Sequence, residues 1–158
     1  RQHGITWHIA TPEVDRGAIL EQELFDVDAD DSALTLNAKC YEAGALAFER
    51  LLASMLANTV APRPATLADG PEFGRRQRPA GAGHVDWRRP IDECDALVRA
   101  LDFGPYDNPL GLPWAMRDGR VVRVNRQVVA HVRENGAAGF DTVPADVLDR
   151  LSALHARW

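Results

Sequence analysis

Apolar positions along this chain recur with two different periods, and the changes between them mark its elements. Ile5, Trp7 and Ile9 alternate with Thr6, His8 and Ala10, the period-two pattern of a strand. Thr11, Pro12 and Glu13 break that pattern, because proline cannot donate to a ladder. Gly17 then opens a second run, residues 18–24, which reads as another strand. Farther on, Leu34, Ala38, Tyr41, Ala45, Phe48, Leu52 and Met55 recur at steps of four and three, so they share one face of a helix. Asp31 or Ser32 is the expected N-cap, and the preceding aspartates suit the positive end of the helix dipole. Pro62 and Pro64 forbid continuation far beyond Asn58. This stripe is expected to pack on one face of a parallel sheet.

The remainder is more broken. Residues 61–90, rich in Pro, Gly and Arg, read as a linker. Ile91, Cys94, Leu97, Val98 and Leu101 define a second helix over 91–101, and 103–113 is dense in turn residues. Residues 115–132 read as a hairpin-like pair of strands around Asp118-Gly119. Residues 144–158 read as an amphipathic helix with Thr142 or Val143 ahead of Pro144 and a stripe of Val147, Leu148, Leu151, Leu154 and Trp158. The expected organisation is three regions: 1–60, a linker over 61–90, and 91–158.

Composition narrows the function classes. Apolar residues make up 46% of the chain, enough for a core. The net charge of −5 gives no general case for nucleic-acid binding. Lys39 is the only lysine, and arginine supplies the other basic residues, a bias of GC-rich coding more than a binding signature. Cys40 and Cys94 stand apart without metal-ligand spacing and read as reduced thiols. With no apolar run of membrane length and no targeting pattern, a cytoplasmic location is expected.

One carboxylate stands out as chemistry. Asp15 lies between two strand ends, where fixed backbone on both sides can hold an acid for proton transfer; the plainer reading is a loop aspartate bonding its own turn. Asp26, Asp28 and Asp30 have odd-position spacing but fail as a calcium loop, since Asp31 replaces its glycine and Asn37 its glutamate. His3 and His8 cannot form a metal pair, being five residues apart on a strand, so no metal is expected. Two arginine groups, Arg75, Arg76, Arg78, Arg88 and Arg89, and Arg117, Arg120, Arg123 and Arg126, either meet an anionic acceptor or form a solvated face balanced by Asp69, Glu72 and Asp86.

Taken together, five strings resemble a known family. Gly-Ile-Thr-Trp-His with Asp15, Gly17, Ile19, Leu20 and Gln22, then DDSALTLNAKCYEAG, FGRRQRP, HVDWRRP and RALDFGPYDNPLGLP, are similar, in that order, to the second half of folate-dependent formyltransferases. That group formylates methionyl-tRNA, glycinamide ribonucleotide, nucleotide-linked amino sugars and starter units of assembly-line synthetases. The resemblance implies an α/β fold: the C-terminal part of a doubly wound formyltransferase sheet, then a truncated small β module and a terminal helix. It implies 10-formyltetrahydrofolate as formyl donor and a primary amine as acceptor. It also implies roles: Asp15 collects the proton; main-chain atoms of Ala10, Thr11, Pro12, Glu13 and Val14 hold the pterin; His8 and Gln22 lie by the acceptor.

The chain lacks the family's Asn-x-His-x-Ser-x-Leu-Pro segment, with its other two catalytic residues, and has no glycine-rich first strand. The resemblance is thus to a C-terminal part, with the N-terminal half or neighbouring synthetase domains as partners and no activity expected of the piece alone. RALDFGPYDNPLGLP looks most like formyltransferase-like domains fused to synthetases, which puts a carrier-bound aminoacyl acceptor first, an amino sugar second and aminoacyl-tRNA last. The reading from another class is a non-catalytic docking or linker module of a larger synthetase, with the terminal helix as its contact.

Overall fold

A computed structural model describes residues 1–13, 15–65, 77, 81–108 and 110–148. The chain divides into two units, Arg1–Arg75 and Arg76–Trp158. In the first, β1 (Gln2–His8) and β2 (Ile19–Asp26) pair antiparallel, with Thr6 opposite Gln22 and Trp7 opposite Glu21. The register shifts between Trp7 and His8, so β1 ends at His8 and not at Ala10. Ile9 still donates its N–H to the Ala18 carbonyl at 3.0 Å, closing the loop between the strands. The internal pairing is a hairpin, where a parallel neighbour was expected, and Arg63 extends it through paired bonds with Ile19, 2.8 Å each way. Among the described residues nothing pairs with the outer edge of β1.

Helix α1 (Ala33–Leu56) starts where Ser32 accepts from the Thr35 N–H and Thr35 Oγ1 accepts in turn from the Ser32 N–H, a reciprocal capping box. It ends before Asn58, which takes the left-handed conformation common after a helix. The expected stripe is not the face packed on the hairpin. Ala43, Ala47 and Leu51 are buried instead, while Tyr41, Phe48, Leu52 and Met55 are exposed. The helix carries two apolar stripes, and periodicity alone does not rank them. The hairpin meets the stripe with small side chains, which lets backbones approach closely. Trp7 Nε1 donating to the Gly44 carbonyl at 3.2 Å and Arg50 pairing with Glu21 and Glu23 fix the rotation.

The second unit contains α2 (Ile91–Ala100), β3 (Trp114–Arg117), β4 (Arg120–Arg123), α3 (Arg126–Asn135) and a 3-10 turn (Ala137–Thr142). Strands β3 and β4 form the expected hairpin, with Asp118 and Gly119 both at positive φ as its two-residue turn demands. The expected strand beyond it is a helix. Asn125 Oδ1 accepts from the Val128 N–H at 3.0 Å and caps α3, and Val128, Val129 and Val132 bury one face of it. Their β-branched side chains read as a strand from composition, but cap and core packing override that propensity. The core joins these valines to Val85, Cys94, Val98, Ala115, Phe140 and Leu148. Residues 145–148 form a first helical turn; Leu151, Leu154 and Trp158, and linker residues such as Arg75, Arg76 and Arg78, lie outside the described residues.

Candidate active site

Period two places Thr6 and His8 on the face of the hairpin opposite Trp7, and pairing puts Gln22 across from Thr6. Gln22 Nε2 donates to Thr6 Oγ1 at 3.1 Å, which orients the amide along the sheet. His8 donates its Nδ1–H to the adjacent Ile9 carbonyl at 3.0 Å, which turns Nε2 outward into the cleft. Asp15 Oδ1 faces that nitrogen at 3.9 Å. The gap is too long for a hydrogen bond. It suits one bridging group with two hydrogens, a water or a primary amine, giving one to each acceptor.

The loop is built to hold this pair. Asp15 is at φ +55°, a left-handed conformation that aspartate tolerates better than most residues. Gly17 is required by proximity, because a Cβ there would stand 1.6 Å from the Ile9 carbonyl oxygen and 3.2 Å from His8 Nδ1. Its role is thus close approach. Together Thr6, His8, Asp15, Gly17, Ile19, Gln22 and Ala65 line a cleft of about 280 Å³. Asp15 is 72% exposed at its side chain and His8 35%, so solvent reaches both.

Three of the residues singled out from sequence, His8, Asp15 and Gln22, therefore meet in one cleft. Ala10, Thr11, Pro12 and Glu13 form the exposed loop beside it, with Thr11 Oγ1 donating to the Glu13 carbonyl at 2.7 Å; Val14 lies outside the described residues. Thr6 was missed, though its place two residues before His8 on a strand was a readable signal. Ala65 was not readable, since it follows the Arg63–Ile19 bridge.

The other charged residues serve structure. Lys39 binds Asp28 and Asp31, 2.7 Å each, and this contact first, with Asp28 N–H and Thr35 bonds adding, holds the Asp31 carboxyl below its usual range. Arg88 chelates Asp86 and holds that carboxyl far below normal. The arginines of the hairpin region do not act as one patch: Arg117 donates to the Val143 and Asp141 carbonyls, Arg120 is exposed and Arg123 turns inward. Among the described residues no cluster could hold a metal ion, and no helix is long and apolar enough to cross a membrane.

No protein-family model matches the sequence. Solved structures do share its fold. A 4-N formyltransferase from Francisella tularensis superposes with TM-score 0.62 at 20% identity, over 76% of this chain and 48% of that one. An N-formyltransferase from Helicobacter canadensis, in complex with folinic acid and dTDP-3-aminofucose, gives 0.60 at 19% over 77% and 42%. A sugar 3-N-formyltransferase, with dTDP and 5-N-formyl-tetrahydrofolate, gives 0.58 at 20% over 77% and 42%. The chain spans about half the length of each, and at these identities the likeness is one of fold: the α/β architecture of part of a sugar N-formyltransferase.

Proposed function

We propose that this chain is the C-terminal part of a folate-dependent formyltransferase that moves a formyl group from 10-formyltetrahydrofolate to a primary amine. The observation that carries this reading is the His8–Asp15 pair, two acceptors 3.9 Å apart in a cleft, within a fold shared with N-formyltransferases. The acceptor amine places its nitrogen between them and attacks the formyl carbon. A C–N bond forms, the carbonyl becomes an oxyanion, and the ammonium proton passes to Asp15. Collapse breaks the bond from formyl carbon to N10, and the proton goes to that leaving nitrogen, giving tetrahydrofolate and the formamide. The Asn and His that polarise the carbonyl in the resembling enzymes belong to the segment absent here. The exposed main chain of residues 10–13 holds the pterin, and Gln22, steadied by Thr6, borders the acceptor.

The open edge of β1 and the exposed stripe of α1 support continuation of the doubly wound sheet by further strands of the same enzyme. Trp7, Tyr41, Phe48 and Ile5 line a groove of about 560 Å³ there, too apolar to remain in water. For the acceptor, the folds matched are those of sugar N-formyltransferases, one solved with an amino-sugar nucleotide. That supports an amino sugar over the carrier-bound aminoacyl group suggested by RALDFGPYDNPLGLP. The two free thiols, Cys40 and Cys94, suit a cytoplasmic enzyme. No observation favours the non-catalytic docking module. The test supplies 10-formyltetrahydrofolate to the protein carrying this chain, with either a nucleotide-linked amino sugar or an aminoacyl carrier, and follows tetrahydrofolate release. Release that depends on the amino sugar is expected. Failure of both amines to give release overturns the enzyme reading, and residues 1–158 alone should release none.

A further inference from the structure

A second cavity, of about 360 Å³, lies wholly within the second unit and is walled by the end of α2, the turn over residues 102–108 and the start of α3. Several of its polar groups are committed to the local backbone. Asn108 donates to the Leu101 carbonyl and accepts from the Leu110 N–H, Asn125 accepts from Val128, and Asp102 Oδ1 accepts from the Gly104 N–H. Among the charged groups of the wall, Arg123 stands apart. Its guanidinium has no hydrogen bond or ion pair among the described residues, and Nη1 is fully buried. No ion pair joins it to Asp102, the carboxylate on the wall.

The residue as a whole is half-buried, but a guanidinium nitrogen held out of water without an acceptor is unfavourable and is seldom kept without a use. Desolvation with no compensating acid pushes the Arg123 pKa down, in keeping with this isolation. The first turn of α3, a helix of ten residues, adds its positive end through the wall formed by Arg126 and Gln127. Phe103 and Tyr106 line the same space.

We propose that this cavity binds a small molecule through an oxyanion, a phosphate or carboxylate, seated on the Arg123 guanidinium. The planar fork presents paired donors to such a group. This site does not rest on the formyl-transfer reading, since no residue of the His8–Asp15 cleft takes part.

The full chain is titrated with inorganic phosphate and, separately, with acetate at matched ionic strength, following thermal stability and heat of binding. Saturable binding is expected for wild type, with Arg123→Met weakened at least tenfold, roughly the loss of one charge-assisted contact. Arg120→Met, on the exposed part of the hairpin, should bind as wild type. Arg123→Met without anion should melt no lower than wild type, because it removes an unpaired and partly desolvated charge. Arg123→Lys keeps charge without the fork and should bind more weakly than wild type. Preference for phosphate or acetate identifies the anion class. Absence of saturable binding of either anion to wild type, or equal binding by Arg123→Met, overturns the site.

Discussion

At the residue scale, Gly17 and Asp31 show how single positions set the geometry that everything else uses. The Gly17 backbone lies so close to the Ile9 carbonyl that any side chain must push the loop open. Gly17→Ala should therefore destabilise the first unit by about 1–3 kcal/mol, the usual cost of overpacking, and should displace Asp15 from His8. Chemical denaturation measures the first effect; unchanged stability would mean that the loop does not close as described. Asp31 acts through charge. Its folded pKa is held below the ordinary 3.8, first by Lys39, so the stabilisation is complete above the ordinary value and is lost as pH falls through the lower folded one. Lys39→Met should flatten that acid-side loss, leaving stability near neutral pH reduced but less pH-dependent. Acid titrations of both proteins, followed by the helix signal, check this.

At the element scale, the two stripes of α1 make opposite demands. Leu51 is 5% exposed against the hairpin and Leu52 is 46% exposed beside it. In residues 1–158, Leu51→Ala should cost about 2–5 kcal/mol, whereas Leu52→Ala should cost well under about 1 kcal/mol. Equal losses would mean that the helix is rotated from the position described. This is also where the sequence was least legible. Steps of three and four were correctly read as a helix, with Asp31 or Ser32 as its cap, yet both stripes satisfy the pattern, and what selects one is the small side chains at Ala43 and Ala47 meeting strands far away in sequence. The valines of α3 misled for a related reason, since β-branching suggests strand and only the Asn125 cap reveals a helix start. Asn125→Ala should accordingly lower the stability of the second unit by about 1 kcal/mol, measured by its unfolding transition. By contrast, the cleft was legible wherever local rules suffice. His8 and Thr6 share a face by period two, the break at Pro12 places a loop, and Asp15 with Gly17 fits a tight return. Arg63 and Ala65 reach the hairpin only through the three-dimensional path of the chain.

At the scale of the whole molecule, the proposed continuation of the sheet by further strands would account for features that are unfavourable in the described residues. An open strand edge, a groove lined by Trp7, Tyr41 and Phe48, and an outward apolar stripe all await covering surface. On the proposed reading, the cleft on the other face of the hairpin would supply the Asp15 carboxylate and the His8 imidazole, while the groups that polarise the carbonyl would come from elsewhere in the enzyme. The most direct measurement is therefore made in the complete protein, comparing wild type with Asp15→Asn for formyl transfer from 10-formyltetrahydrofolate and for folate binding. If Asp15 takes the amine proton, kcat should fall by roughly 10²–10⁴-fold while the folate Kd stays nearly constant, since the neighbouring main chain does the binding. Activity kept within about fivefold of wild type would contradict a catalytic Asp15 and leave it a turn residue.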